Sequence, residues 1–156
     1  MFSYYKKIDE MKKLIICLIM LTSLFKVSAQ YHATVMDSTK DAVTMRCMGY
    51  GKKSVTAFKD AELSAIKTLL FVGAASTQYN VPLIQEDKLA VEIKFQQFFE
   101  TFYKEEYKNF VESSVIVTPF GKNALKQKCI TLDVCIRVPQ LRAYLEKNGI
   151  IRKFGL

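Results

Sequence analysis

Residues 49–54, Gly49-Tyr50-Gly51-Lys52-Lys53-Ser54, combine glycines, lysines and a hydroxyl between two apolar segments. Such a run resembles a phosphate-binding loop, in which glycine amides and a lysine surround an anion. The full pattern places four residues between its first glycine and a Gly-Lys pair followed directly by Ser or Thr. Here Tyr50 alone separates the glycines, and Lys53 intervenes before Ser54. What remains is an anion site of Lys52, Lys53 and Ser54 at a helix start, or a tight strand-to-helix turn that needs glycine for its backbone angles.

Other reactive groups are sparse. His32 is the one imidazole in the chain, too few for a zinc site or a triad built on a rigid histidine. Glu100, Glu105, Glu106 and Glu112 are interleaved with Lys104 and Lys108. Nothing fixes a pair of them across a cleft, as glycoside hydrolysis requires, and the alternation reads as a solvated face. No cofactor or metal is expected.

The most concentrated feature is aromatic. Phe95, Phe98, Phe99, Phe102 and Tyr103 recur at helical spacing. Two readings fit: a core stripe packed on a sheet, or an exposed surface for a partner. Interspersed glutamates argue against base stacking on nucleic acid.

The first thirty residues carry different information. Lys12 and Lys13 precede an apolar run from Leu14 to Phe25, and Val27-Ser28-Ala29 supplies small residues before Gln30. This is the three-part pattern of a secretory signal peptide, with cleavage expected after Ala29. The run is shorter than the ~20 residues that span a bilayer. Gln30 stands where a lipoprotein would carry cysteine. Residues 1–29 are therefore read as an N-terminal extension and leader, with Met11 the better start of that leader, and 30–156 as a single domain exported to the periplasm or beyond.

The leader alters the composition. The 156-residue chain has 23 Lys plus Arg, 15 Asp plus Glu and a net charge of +8. Loss of residues 1–29 removes five cations and two acids, leaving 127 residues at +5. That balance suits ordinary solubility, or an anionic partner such as a membrane surface or a glycan. Cys17 also leaves, so Cys47, Cys129 and Cys135 remain, an odd number. Cys129 and Cys135 lie on one expected strand, ~20 Å apart at ~3.3 Å per residue, and cannot bridge each other. A bridge from Cys47 to either stays open, as does burial of all three as small apolar residues.

The elements that must position these groups follow from periodicity. Residues 42–49 alternate as a half-buried strand. Ser54 reads as the cap of a helix from Val55 to Phe71, with Phe58, Ala61, Ala65, Ile66 and Leu69 inward, Lys59, Asp60, Glu62 and Lys67 outward, and Gly73 as its stop. After a loop over 74–85, a second helix starts near Glu86-Asp87 and runs through the aromatic stripe, with a break expected before Tyr107. Residues 111–118 form a strand, Pro119-Phe120-Gly121-Lys122 a turn, and 126–138 the most regular alternating strand. Pro139 opens a last helix that Asn148-Gly149 closes. The order β-α-α-β-β-α predicts an α+β fold: an antiparallel sheet of three to four strands, with helices packed on one face. Residues 31–38 or the tail supply the fourth strand.

The segment MGYGKKSVTAFKDAELSAIKTLLF resembles the small exported domains of the flagellar T-protein N-terminal and outer-membrane lipoprotein group, through Gly49, Gly51, Ala57, Ala61 and Ala65. It is also similar to small exported proteins of Gram-negative bacteria. The resemblance implies a non-enzymatic envelope or assembly role. The expected function is an exported, non-catalytic envelope protein whose partner is an envelope protein or a glycan, with peripheral contact to anionic membrane as a further expectation and no nucleic acid. The alternative is a small exported hydrolase or glycan-modifying enzyme using carboxylates.

Overall fold

A computed structural model describes residues 33–153, all within one compact unit. The leader, its cleavage point, His32 and the last three residues lie outside the described residues. The elements are β1 (Ala33–Ser38), β2 (Ala42–Tyr50), α1 (Ser54–Phe71), α2 (Lys88–Lys94), α3 (Gln96–Lys104), a 3-10 turn (Glu106–Phe110), β3 (Val111–Lys122), β4 (Lys128–Arg137) and α4 (Val138–Lys147). The four strands form one antiparallel sheet in the order β1-β2-β4-β3. The fold is α+β, and β1 is the additional strand expected from residues 31–38.

Alternation sets the two faces of the sheet. Val43, Met45 and Cys47 of β2 and Ile130, Leu132, Val134 and Ile136 of β4 are buried beneath the helices. The opposite face carries Arg46 and Asp133 side by side on neighbouring strands. Arg46 Nε and Nη2 donate to the two Asp133 oxygens at 2.8 Å each. That bidentate pair holds the Asp133 carboxyl below its usual range and raises the Arg46 guanidinium.

Helix α1 crosses the sheet at unusually short range. A Cβ placed on Gly49 would lie 2.1 Å from the Ala57 carbonyl oxygen and 2.3 Å from the Ala61 amide nitrogen. One on Gly51 would lie 2.6 Å from the Ala57 amide nitrogen. Neither glycine has positive φ. The Gly-x-Gly pair therefore serves close helix-to-strand approach, not the backbone angles expected of a tight turn. Ala57, Ala61 and Ala65 are fully buried at the contact. Gly73, at φ +88, ends the helix as expected.

Several boundaries differ from the sequence reading. Ser54 is the first helical residue and makes no side-chain cap. Thr56 Oγ1 instead accepts from the Lys53 amide at 3.3 Å and donates to the Lys53 carbonyl at 3.0 Å. The second helix begins after Asp87, whose carboxylate accepts from the Ala90 amide at 3.0 Å. It breaks at Phe95 (φ −118, ψ 37) although residues 86–110 contain no Gly or Pro. The break serves tertiary packing: Val91 before it and Phe99 and Phe102 after it all reach the core. A second break falls before Tyr107, where the 3-10 turn begins.

Pro119-Phe120-Gly121-Lys122 is not the hairpin turn. It continues β3, with register irregularities on either side of Thr118. An edge strand tolerates proline because half its N–H groups have no ladder partner. Asn123 makes the turn, its Oδ1 accepting from the Leu125 amide at 3.0 Å and the Gln127 amide at 2.9 Å. Helix α4 ends as expected at Asn148-Gly149. Gly149 takes φ +69 and its amide donates to the Glu146 carbonyl, while the Ile150 amide donates to that of Leu145. Ile151–Lys153 add no strand.

Cys47, Cys129 and Cys135 are free thiols. Cys47 sits on the helix-covered face and is fully buried, whereas Cys129 and Cys135 occupy alternate positions on the other face. Burial foremost, with a lesser contribution from the Asp133 charge, pushes the Cys47 thiol up to about 12.

The α1–β2 contact predicts that Gly49→Ala lowers folding stability by ~1–3 kcal/mol through overpacking. Gly121→Ala, where an added Cβ meets nothing nearer than 3.8 Å, leaves stability almost unchanged. Urea denaturation of the two variants checks this, and equal midpoints would refute the close-approach account.

Candidate functional site

The predicted aromatic residues form a cluster in the core. Phe99 and Phe102 are 3% and 0% exposed, and Phe95, Phe98 and Tyr103 are half-buried against them. Phe98 stacks on Phe102 at 5.5 Å between centroids and meets Phe99 edge-on at 5.2 Å. Tyr144 joins from α4, 5.0 Å from Phe110. Its hydroxyl donates to Glu106 Oε2 at 2.5 Å, and burial with that bond raises the phenol to about 12. The centre of the stripe thus fills volume between the helices and the sheet and has no surface to offer. Only the rims of Phe95, Phe98 and Tyr103 reach solvent.

Lys52, Lys53 and Ser54 are exposed, but the turn does not form a phosphate cradle. The Tyr50 amide donates to Asp60 Oδ2 at 2.9 Å, the Gly51 amide to the Lys128 carbonyl at 3.2 Å, and the Lys53 amide to Thr56 Oγ1. These three amides are used internally here. The loop over 74–85 is likewise a clamp. Gln78 Nε2 donates to the Thr39 carbonyl at 2.9 Å, and the Tyr79 hydroxyl donates to the Lys40 carbonyl.

A groove lies between the start of α1, the 3-10 turn and the first half of β3, with a volume of about 530 Å³. Phe58 and Val111 supply apolar wall, and Lys59 and Lys108 stand along it. Lys59 Nζ donates to the Lys104 carbonyl at 2.8 Å, a cation at the C-terminus of α3. Glu62 lies within the groove wall and is 8% exposed. Its carboxylate accepts from the Tyr107 hydroxyl at 2.9 Å and from the Ser114 hydroxyl at 2.7 Å, one bond to each oxygen. Burial and the facing carboxylate keep the Tyr107 phenol neutral far above its ordinary range.

The sequence reading placed Glu62 outward, and the structure corrects this. Its spacing held the clue: Glu62 lies four residues after Phe58 and four before Ile66, on the inward stripe. Its charge alone suggested solvent. Ser114, from a strand 52 positions further on, has no local signal. Glu62 and Glu112 both line this groove. The Glu112 carboxylate lies 3.7 Å from Cys135 Sγ on the open face of the sheet, while Glu62 meets Ser114 on the helix side. Glu100 and Glu105 are exposed. Among the described residues no three His, Cys, Asp or Glu side chains converge as metal ligands.

Beside the groove, β3 is an edge strand. Ser113–Ile116 pair in continuous register with Cys135–Leu132, between an irregularity at Glu112 and another after Ile116. Val115, Ile116 and Val117 are 59%, 54% and 41% exposed. Three consecutive β-branched residues in water on an unpaired edge are what soluble proteins ordinarily avoid.

No family model, curated protein or solved structure matches this chain.

The Glu62 cluster has a pH consequence. Tyr107 and Tyr144 keep their protons in the fold beyond the ~10 at which an unfolded tyrosine ionises. Their contribution to stability is complete below that pH and declines as pH rises toward the folded values. Urea midpoints should fall above pH ~10, and Tyr107→Phe should reduce that fall while costing ~1–3 kcal/mol at neutral pH, since it leaves Glu62 with one hydroxyl donor. An unchanged alkaline decline in the variant would contradict the assignment.

Proposed function

We propose that this chain is an exported, non-catalytic envelope protein, its leader removed after Ala29, which binds an extended segment of another envelope protein along β3. The observation that carries the reading is the open outer edge of β3, regular over Ser113–Ile116, with Val115, Ile116 and Val117 exposed. Strand addition there satisfies the free backbone donors and acceptors, and buries Val115 and Val117 with alternate side chains of the partner. The irregularities at either end, with Pro119 beyond, confine pairing to one short register and oppose runaway edge-to-edge association. Lys59, Lys104 and Lys108 near the groove favour a segment flanked by acidic residues.

The hydrogen bonds of the buried Glu62 to Tyr107 and Ser114, and the contact of Glu112 with Cys135, support binding over hydrolysis. The pattern of residues 11–30 supports export. No helix among the described residues is long and apolar enough to cross a membrane.

Photocrosslinking in exporting cells tests the reading. A photoreactive side chain at position 115 or 117 should trap one defined envelope protein through a short extended segment. The same group at Thr34, on the opposite edge of the sheet, should not. Ile116→Lys combined with Val115→Lys should abolish the adduct without loss of folding. Equal adducts from both edges, or none from β3, would refute it.

A further inference from the structure

The far end of β3 has a different character. Strand register sets Lys122 directly opposite Lys128, and Lys126 lies in the connecting turn. The Gly51 amide donates to the Lys128 carbonyl at 3.2 Å, so Lys52 and Lys53 follow at the same end of the sheet. Five lysines from two distant parts of the sequence thus lie at one end of the sheet. Like charges directly opposite on paired strands repel. Among the described residues none of the five takes part in an ion pair. Asp60, in the second turn of α1, accepts from the Tyr50 amide. The first turn of α1 contains no acid, although acids are favoured there.

Two apolar side chains project among these charges. Leu125, at the tip of the turn, is 78% exposed, and Val55, in the first turn of α1, is 82% exposed. Leu125 is not on a slack loop. Asn123 Oδ1 accepts from the Leu125 and Gln127 amides, the Asn123 amide donates to the Gln127 carbonyl at 2.9 Å, and the Lys126 amide donates to the Asn123 carbonyl at 2.9 Å. Lys126 takes φ +61 to close the turn. The backbone is ordered so that a leucine stands in water between lysines.

We infer that this end of the sheet docks on an anionic lipid bilayer, with Leu125 and Val55 entering the headgroup region and Lys52, Lys53, Lys122, Lys126 and Lys128 facing the lipid phosphates. A discrete anion would require converging donors, and the Tyr50, Gly51 and Lys53 amides are already used. None of the five lysines lines the groove beside β3 or the opening near Val81–Glu86, and Val55 stands at the rim of that groove. A protruding surface that mixes dispersed cations with isolated apolar prongs matches a broad, soft, negatively charged surface.

Co-sedimentation of the full chain with vesicles tests the inference, with the leader common to every variant. Lys122→Glu with Lys126→Glu should weaken partitioning onto phosphatidylglycerol-containing vesicles by more than about 25-fold, at about fivefold for each lysine lost and further for each charge reversed. The charge-matched control, Lys40→Glu with Lys147→Glu, lies away from the hairpin and should change it far less. Leu125→Ser should weaken it about tenfold and leave the thermal melt unchanged. Added salt should abolish the difference between wild type and the hairpin double variant. Equal losses in both double variants, or equal binding to phosphatidylcholine alone, would overturn the proposal. So would hairpin-dependent binding to polyaspartate that matches the vesicles and ignores Leu125→Ser, because the surface would then recognise acidic protein.

Discussion

The distance between α1 and β2 governs the architecture. With glycine at 49 and 51 and alanine at 57, 61 and 65, the helix backbone rests almost on the strand backbone. Dispersion and apolar burial are gained over the whole length of the helix, with no long side chain spent on the contact. The short distance leaves the larger volume to be filled at the flanks. The aromatic cluster of Phe98, Phe99, Phe102, Phe110 and Tyr144 fills part of it. Beside that cluster, Glu62 turns toward β3 and meets Tyr107 and Ser114.

That geometry also determines what stays uncovered. One helix lying over β2 and β4 shields the two central strands, and β3 projects beyond it. Ile116 pairs with the fully buried Leu132 and yet is half exposed. The carboxylate cluster fastens the first half of β3 to the helix, and the Asn123 turn stiffens its far end. The strand is thus held firmly at both ends while its middle presents apolar side chains and an unpaired backbone. A rigid edge of this kind binds an extended segment with little loss of its own freedom, which favours affinity.

Much of the fold was legible in the sequence because a single period dominates β2, α1 and β4, and the residues that close α1 and α4 are glycines with positive φ. The Gly49–Gly51 pair was found, but its reason was misassigned, since close approach depends on a helix whose position no local pattern gives. Breakage at Phe95 left no local mark because packing of Val91 and Phe99 causes it. Proline was over-weighted at Pro119, where an edge strand has no need of its amide. The site was less legible than the fold. Glu62 was read by charge when its spacing pointed inward, and the lysine cluster at the hairpin depends on strand register between residues some seventy positions apart. The aromatic stripe was visible, yet its spacing fits core and surface equally, and only packing separates the two.

The central claim is that Ser113–Val117 is an ordered edge with backbone groups open to a partner. Residue-resolved amide hydrogen exchange of the free chain measures this directly. Along that stretch amides should alternate, those facing β4 exchanging slowly and those facing outward exchanging near the rate of an open chain. Cys135–Leu132 of β4, paired on both sides, should be uniformly slow. Uniform protection along Ser113–Val117 would mean that the edge is already covered, and uniform fast exchange would mean that it is not an ordered strand. Either result would contradict the account.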